Sequence, residues 1–143
     1  MFRTLITATV LATALAAPAL ADILEVRMLN RGDAGNMVFE PAFLRVAPGD
    51  TVKFIATDRG HNAEAIDGMV PDGATLFKGK INEEIEVTLD VDGLYAVKCT
   101  PHFAMGMVMI IAVGDVAEVP DGFLEGRVPP RAKDRFADQL AGL

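Results

Sequence analysis

Sulfur able to bridge is almost absent from this chain. Among 143 residues there is one cysteine, Cys99, so no disulfide can form within the fold. Histidine is nearly as scarce, with only His61 and His102. Positive charge is outnumbered, 13 Lys+Arg against 20 Asp+Glu, which argues against nucleic acid as a partner. No apolar run reaches the ~20 residues a membrane-spanning helix needs. Internal repeats, low-complexity tracts and interdomain linkers are missing as well. What remains is a small globular body whose scarce residue types lie close to one another.

The longest apolar run stands at the N-terminus. Arg3 supplies a positive charge, Leu5 to Ala17 is apolar and alanine-rich, and Ala19-Leu20-Ala21 has a small-x-small form. That order is the pattern of a secretory signal peptide over residues 1–21, cleaved to leave a mature chain from Asp22. Residues 22–143 then make one domain, long enough to bury a real core. Removing Arg3 leaves 12 Lys+Arg against the same 20 Asp+Glu, a formal charge of −8. Export of this bacterial type places the protein in the periplasm, where disulfides persist. A lone cysteine there is buried, paired with another chain, or bound to something else.

The body reads as strands joined by tight turns. Ile23 to Leu29 is a first strand, and Met37 to Phe43 a second, broken at Pro41. Pro48-Gly49-Asp50 marks a turn. Val52, Phe54 and Ala56 alternate with Thr51, Lys53 and Ile55, and Ile85, Val87 and Leu89 alternate with Glu84, Glu86 and Thr88. Asp92-Gly93 predicts a hairpin turn before a strand over Leu94 to Cys99. The last strand runs from Met107 to Val113. Strand parity puts Tyr95, Val97 and Cys99 on one face, and Met107, Met109, Ile111 and Val113 on one face of the next. From about residue 115 a helical extension is expected. Ala132, Phe136 and Leu140 fall at i, i+4 and i+8 after Pro129-Pro130, and a shorter helix is expected over Val116 to Leu124. Such a succession suggests a β-sandwich with a helical appendage.

The chemistry gathers in Cys99-Thr100-Pro101-His102-Phe103-Ala104-Met105-Gly106-Met107. A thiolate and an imidazole three residues apart can hold one ion from a single turn. With His61 as second imidazole and a methionine as weak axial thioether, the set is that of a blue-copper site. Thiolate and thioether suit Cu(I), and imidazole accommodates Cu(II). Met105, Met107 and Met109 share parity, so parity alone does not choose the axial sulfur. Zinc competes for Cys and His, but a zinc site usually recruits a fourth Cys, His or carboxylate. There is no third histidine or second cysteine, and no acid lies in the loop.

The C-x2-H-x4-M spacing, the ending GMVMIIAVGD and the stretches ILEVRMLNRG and MVFEPAFLRVAPGDTVKFIATDRGHNAE closely resemble the pseudoazurins, small periplasmic cupredoxins. The resemblance covers nearly all of the mature chain. It implies an all-β Greek-key sandwich of about eight strands with two C-terminal α-helices and one type 1 copper near one end. It implies copper ligation by Nδ1 of His61 and His102, by Cys99, and by Met107 rather than Met105. The backbone N–H of Asn62 is implied as a donor to the Cys99 sulfur, whereas Pro101 has no N–H to offer. A ring of basic residues around the exposed histidine is implied as the docking face, here Arg31, Arg59, Lys78, Lys80 and Lys98. The chain departs from the family at Ala56, often proline there, and at Phe103, often tyrosine.

On this reading the protein is a monomeric periplasmic electron carrier, not an enzyme. It shuttles single electrons from a respiratory donor, such as a c-type cytochrome, to an acidic partner, by resemblance copper nitrite reductase in denitrification. The alternative is a periplasmic copper chaperone or storage protein, which would favour exchangeable clusters of methionine and histidine. A zinc or copper enzyme would need an open coordination position and acid–base groups, and both histidines are already used.

Overall fold

The computed structural model describes residues 20–143; most of the expected signal segment, residues 1–19, lies outside it. Eight strands form two four-stranded sheets. The first sheet has the order β2-β1-β4-β6, from Gly35–Glu40, Ile23–Gly32, Thr51–Ile55 and Ile85–Thr88. The second has the order β3-β8-β7-β5, from Phe43–Val46, Val108–Val113, Gly93–Lys98 and Glu64–Ala65. The pairs β1–β4 and β3–β8 are parallel, so the chain must cross between sheets rather than meander. One helix, α1 (Pro130–Leu140), closes the chain. No helix among the described residues is long and apolar enough to cross a membrane.

The strands follow from the alternation that predicts them. Val52 and Phe54 are buried while Thr51, Lys53 and Ile55 are half-buried. The Pro48-Gly49-Asp50 turn is closed by Asp50 N–H to Ala47 O at 3.0 Å, and the Asp50 carboxylate accepts from Ala47 N–H (2.8 Å) and Asp22 N–H (2.9 Å). The break at Pro41 separates β2 from β3, which join different sheets.

Parity sorts β7 and β8 between two cores. Tyr95, Val97, Cys99, Met107, Met109, Ile111 and Val113 pack between the sheets with Val26, Met28, Phe39, Val52 and Phe54. Leu94, Ala96, Val108, Ile110 and Ala112 face the other way, against Ala132, Phe136 and Leu140 of α1. The helix thus covers the outer face of the second sheet. This is why β7 and β8 read as continuous apolar runs and not as half-solvated strands.

Two expectations are corrected. No helix forms over Val116–Leu124. Pro120 cannot donate a helical bond, Gly122 takes a left-handed φ of 73°, and the segment folds as turns closed by Phe123 N–H to Pro120 O (3.1 Å). Its apolar residues Val116, Phe123 and Leu124 still pack on the second core. Nor does Asp92-Gly93 close a hairpin. Strand β6 pairs with β4 and β7 with β8, so this segment carries the chain from one sheet to the other.

Candidate metal centre

Two connections converge at one end of the sandwich. Cys99 follows the last residue of β7, and Met107 precedes the first residue of β8. The register pairs Lys98 with Val108, and Cys99 N–H donates to Met107 O at 2.9 Å, so the two sulfurs flank the mouth of one hairpin. A 3-10 turn over Thr100–Met105 spans that mouth and carries His102. Strand β5 pairs Glu64 with Lys98, which brings the preceding loop, with His61 and Asn62, alongside Cys99.

The donor atoms form a tight triangle. His61 Nδ1 and His102 Nδ1 are 3.1 Å apart, and Cys99 Sγ lies 3.7 and 3.6 Å from them. A point about 2.0 Å from all three atoms exists, the length of a metal–imidazole bond. Among the described residues no other group of His, Cys, Asp or Glu side chains is gathered in this way. Cys99, His61 and Met107 are each 0% exposed. His102 is half-buried and reaches the surface.

The methionines separate by burial. Met105 is 41% exposed at the end of the 3-10 turn. Met109 is buried one step further along β8, opposite Val97. Only Met107 combines full burial with direct backbone pairing to Cys99.

Hydrogen bonds prepare the nitrogen donors. Asn30 Oδ1 lies 2.9 Å from His61 Nε2, which places the ring proton on Nε2 and leaves the Nδ1 lone pair aimed at the triangle. Asn30 is itself tied by its N–H to Asp58 Oδ2 at 2.7 Å. Burial, and then the charge of His102, lower the His61 pKa, while Asp58 works in the opposite direction. The imidazole is therefore kept neutral, the form that binds metal.

The sulfur shows the opposite pressure. Burial raises the Cys99 pKa, countered by the backbone N–H groups of Asn62 and His102. A dry thiol flanked by two donor nitrogens ionises when a soft cation takes the proton's place. One thiolate, two imidazoles and a thioether with no carboxylate fit copper in both oxidation states.

The Asn62 side chain ties the two loops together. Its Nδ2 donates to Gly79 O (3.1 Å) and Thr100 Oγ (3.2 Å), and its Oδ1 accepts from Thr100 N–H (2.7 Å). Thr100 Oγ in turn donates to Glu64 Oε2 at 2.5 Å. Pro101, exposed on the 3-10 turn, contributes no N–H to this network.

The five basic positions are not equivalent. Lys78 and Lys98 flank the Glu64 carboxylate at 3.6 and 3.9 Å, and Lys98 Nζ also sits 5.2 Å from the centroid of Phe103. Arg31, Arg59 and Lys80 are exposed and have no ion-pair partner among the described residues. Arg31 and Arg59 each follow one partner of the Asn30–Asp58 hydrogen bond, which holds their two segments together. Ile81, 49% exposed, and Pro101 line a shallow apolar groove rimmed by Lys78 and Lys80.

Sequence reasoning missed Asn30 and Glu64. Asn30 lies 31 residues before the histidine it orients, with no local pattern to mark it. Glu64 had a usable signal, an acid two residues after Asn62 among basic positions.

Residues 26–114 match the model of copper binding proteins of the plastocyanin/azurin family. The chain is 51% identical over 128 residues to a pseudoazurin of Paracoccus pantotrophus, covering 90% of this chain and 88% of that protein. It is 51% identical over 117 residues to a pseudoazurin of Methylorubrum extorquens, with 80% and 79% covered. The crystal structure of pseudoazurin from Methylobacterium extorquens AM1 superposes with a TM-score of 0.80 at 41% identity, covering 85% of this chain and 98% of that one.

Proposed function

Because the chain belongs to the pseudoazurins, copper-binding electron carriers and not enzymes, we propose that it shuttles single electrons through the periplasm from a respiratory c-type cytochrome to a copper nitrite reductase in denitrification. The observation that carries the reading is the triangle of two imidazole nitrogens and one thiol sulfur at 3.1, 3.6 and 3.7 Å. His61, Cys99, His102 and Met107 would hold the copper, the first three through the gathered donor atoms and Met107 through its thioether. Bound copper supplies the one-electron couple. The residues supply the rest. Cys99 carries the thiolate, and His61 anchors the site in the core with Asn30 behind it. The half-buried His102 offers an edge through which an electron can reach a docked partner. Burial of Cys99, His61 and Met107 keeps water and exchanging ligands out, as suits a carrier better than a chaperone. The export pattern of residues 1–21 supports the periplasmic location.

Pro101 keeps the sulfur one donor short. Pro101→Ala supplies an N–H next to Cys99, and a donor to the thiolate withdraws charge and favours the reduced state. The midpoint potential is expected to rise by about 60 mV, the equivalent of about 1.4 kcal/mol for one charge-assisted hydrogen bond in a one-electron couple. Protein-film voltammetry measures it, and an unchanged or lowered potential overturns this role for Pro101.

The acceptor is tested by mixing the reduced protein with copper nitrite reductase in a stopped flow. Oxidation is expected to be fast at low salt and to slow as ions screen the basic ring. Arg59→Gln with Lys98→Gln should lower the association rate about tenfold at low salt and flatten its salt dependence. Arg59 should carry the larger share, since Glu64 already offsets Lys98. An unchanged salt slope excludes this basic face as the docking surface.

A further inference from the structure

Helix α1 contributes no donor to the metal centre, yet its polar side chains converge on the backbone that carries Met107. Arg135 Nη1 donates to Gly106 O at 2.8 Å and Met37 O at 2.7 Å, and its Nη2 donates to Asn36 O at 2.9 Å. One turn further on, Gln139 Nε2 donates to Val108 O at 3.0 Å. The carbonyls on both sides of Met107 are therefore held by the helix.

A close approach adds to these bonds. Gly106 has a φ of 87°, and a β-carbon there would stand 3.0 Å from Arg131 O, so the helix backbone lies directly on the loop. From the opposite side, Met107 N–H donates to His102 O (3.1 Å) and Met107 O accepts from Cys99 N–H (2.9 Å). The Met107 backbone is clamped between the ligand loop and α1.

Beside these bonds a depression of about 210 Å³, partly open to solvent, lies against Val38, Ala42, Val108, Arg135, Asp138 and Gln139. The guanidinium is half-buried, and burial and then the charge of Arg131 lower its pKa. A charge kept there at a cost is placed for its donors. Met37, whose carbonyl it holds, has an unfavourable φ of 52° and packs on the core cluster that contains Met107.

We propose that Arg135, assisted by Gln139, is a positioning residue for the copper centre, holding the Met107 thioether at its distance from the ion through the carbonyls of Gly106 and Val108. The proposal rests on Met107 being the axial ligand. The planar fork of arginine reaches three carbonyls from one position, and the ammonium of lysine cannot reproduce that geometry.

Arg135→Lys keeps the charge and removes the fork. In the copper-loaded protein it is expected to change the ratio of the two visible copper–thiolate bands by roughly a third. In competition with a chelator it should lower copper affinity about tenfold. In the copper-free protein, amide exchange at Met107 and Val108 should quicken about tenfold. Phe136→Leu, which loosens the packing of α1 but has no bond to the loop, should lower the thermal midpoint with the band ratio unchanged. Gln139→Leu removes only the bond to Val108 and should move the ratio in the same direction by less. If neither Arg135→Lys nor Gln139→Leu moves ratio or affinity, the helix only stabilises the fold and the proposal fails. Met107→Gln separates the two readings. An unchanged spectrum there overturns Met107 as axial ligand, whereas a changed one beside an unmoved Arg135→Lys overturns the brace alone.

Discussion

Cys99→Ser is expected to abolish the intense absorption near ~600 nm that copper gives with a thiolate, and with it the electron-transfer activity. The sulfur is the one donor the site cannot replace. No second cysteine exists in the chain, and the remaining donors, two imidazoles and a thioether, bring no negative charge. A serine hydroxyl at this position would need to ionise far below its ordinary pKa while fully buried. Copper affinity should fall by more than about 100-fold, beyond the upper range for residues that merely orient ligands. Stability of the copper-free protein should change much less, by about 1–3 kcal/mol, since the substitution buries a hydroxyl where a small apolar thiol packed. Visible spectroscopy, chelator competition and thermal unfolding of the apoprotein read the three effects separately. Retention of the ~600 nm band in the serine variant would exclude copper–thiolate bonding and the function built on it.

The ligand loop was readable because its chemistry is local. Cys99, His102 and three methionines lie within eleven residues, and period-two parity places the sulfurs on the inner face, although only the family resemblance singles out Met107. Strand existence was readable for the same reason, as in the alternation of Val52 and Phe54. What could not be read depends on contacts between distant segments. Alternation around Ile85 and after Gly93 marks two strands but does not say that they join different sheets, so a hairpin was expected where the chain crosses over. The two-residue strand β5 has no period to detect, yet its pairing with β7 brings His61 to Cys99. The expected helix over Val116–Leu124 had the right apolar residues, but Pro120 and Gly122 outweighed them. The helix at Pro130–Leu140 met no such breaker, and its three predicted apolar positions are buried. Ligand orientation was hidden for a further reason. Asn30 acts across 31 positions through one side-chain hydrogen bond, which leaves no trace in composition or spacing.

Asn62→Ala should be the most disruptive change outside the ligands themselves. The family resemblance implies a role for its backbone N–H alone, and the structure adds three side-chain bonds. The side chain is 2% exposed, so water does not readily take its place. Alanine would strand the buried Gly79 carbonyl, at about 1–3 kcal/mol for an unpaired buried group, and would leave the Thr100 N–H, on an exposed residue, to water. That loss, about 1–3 kcal/mol, is a sizeable fraction of the 5–15 kcal/mol that holds a domain of this size together. Urea unfolding of the copper-free protein measures it, and a loss under about 0.5 kcal/mol would show that the network is idle. The redox effect has a definite sign. With the two loops no longer tied, the backbone N–H of Asn62 holds the sulfur less firmly. A thiolate that has lost a donor gives more charge to the metal and favours the oxidised state. The midpoint potential of Asn62→Ala should therefore fall, opposite in sign to Pro101→Ala. The opposed shifts make the pair a single test, because both follow from counting donors on one sulfur. If both substitutions moved the potential in the same direction, hydrogen bonding to Cys99 would not be what sets it.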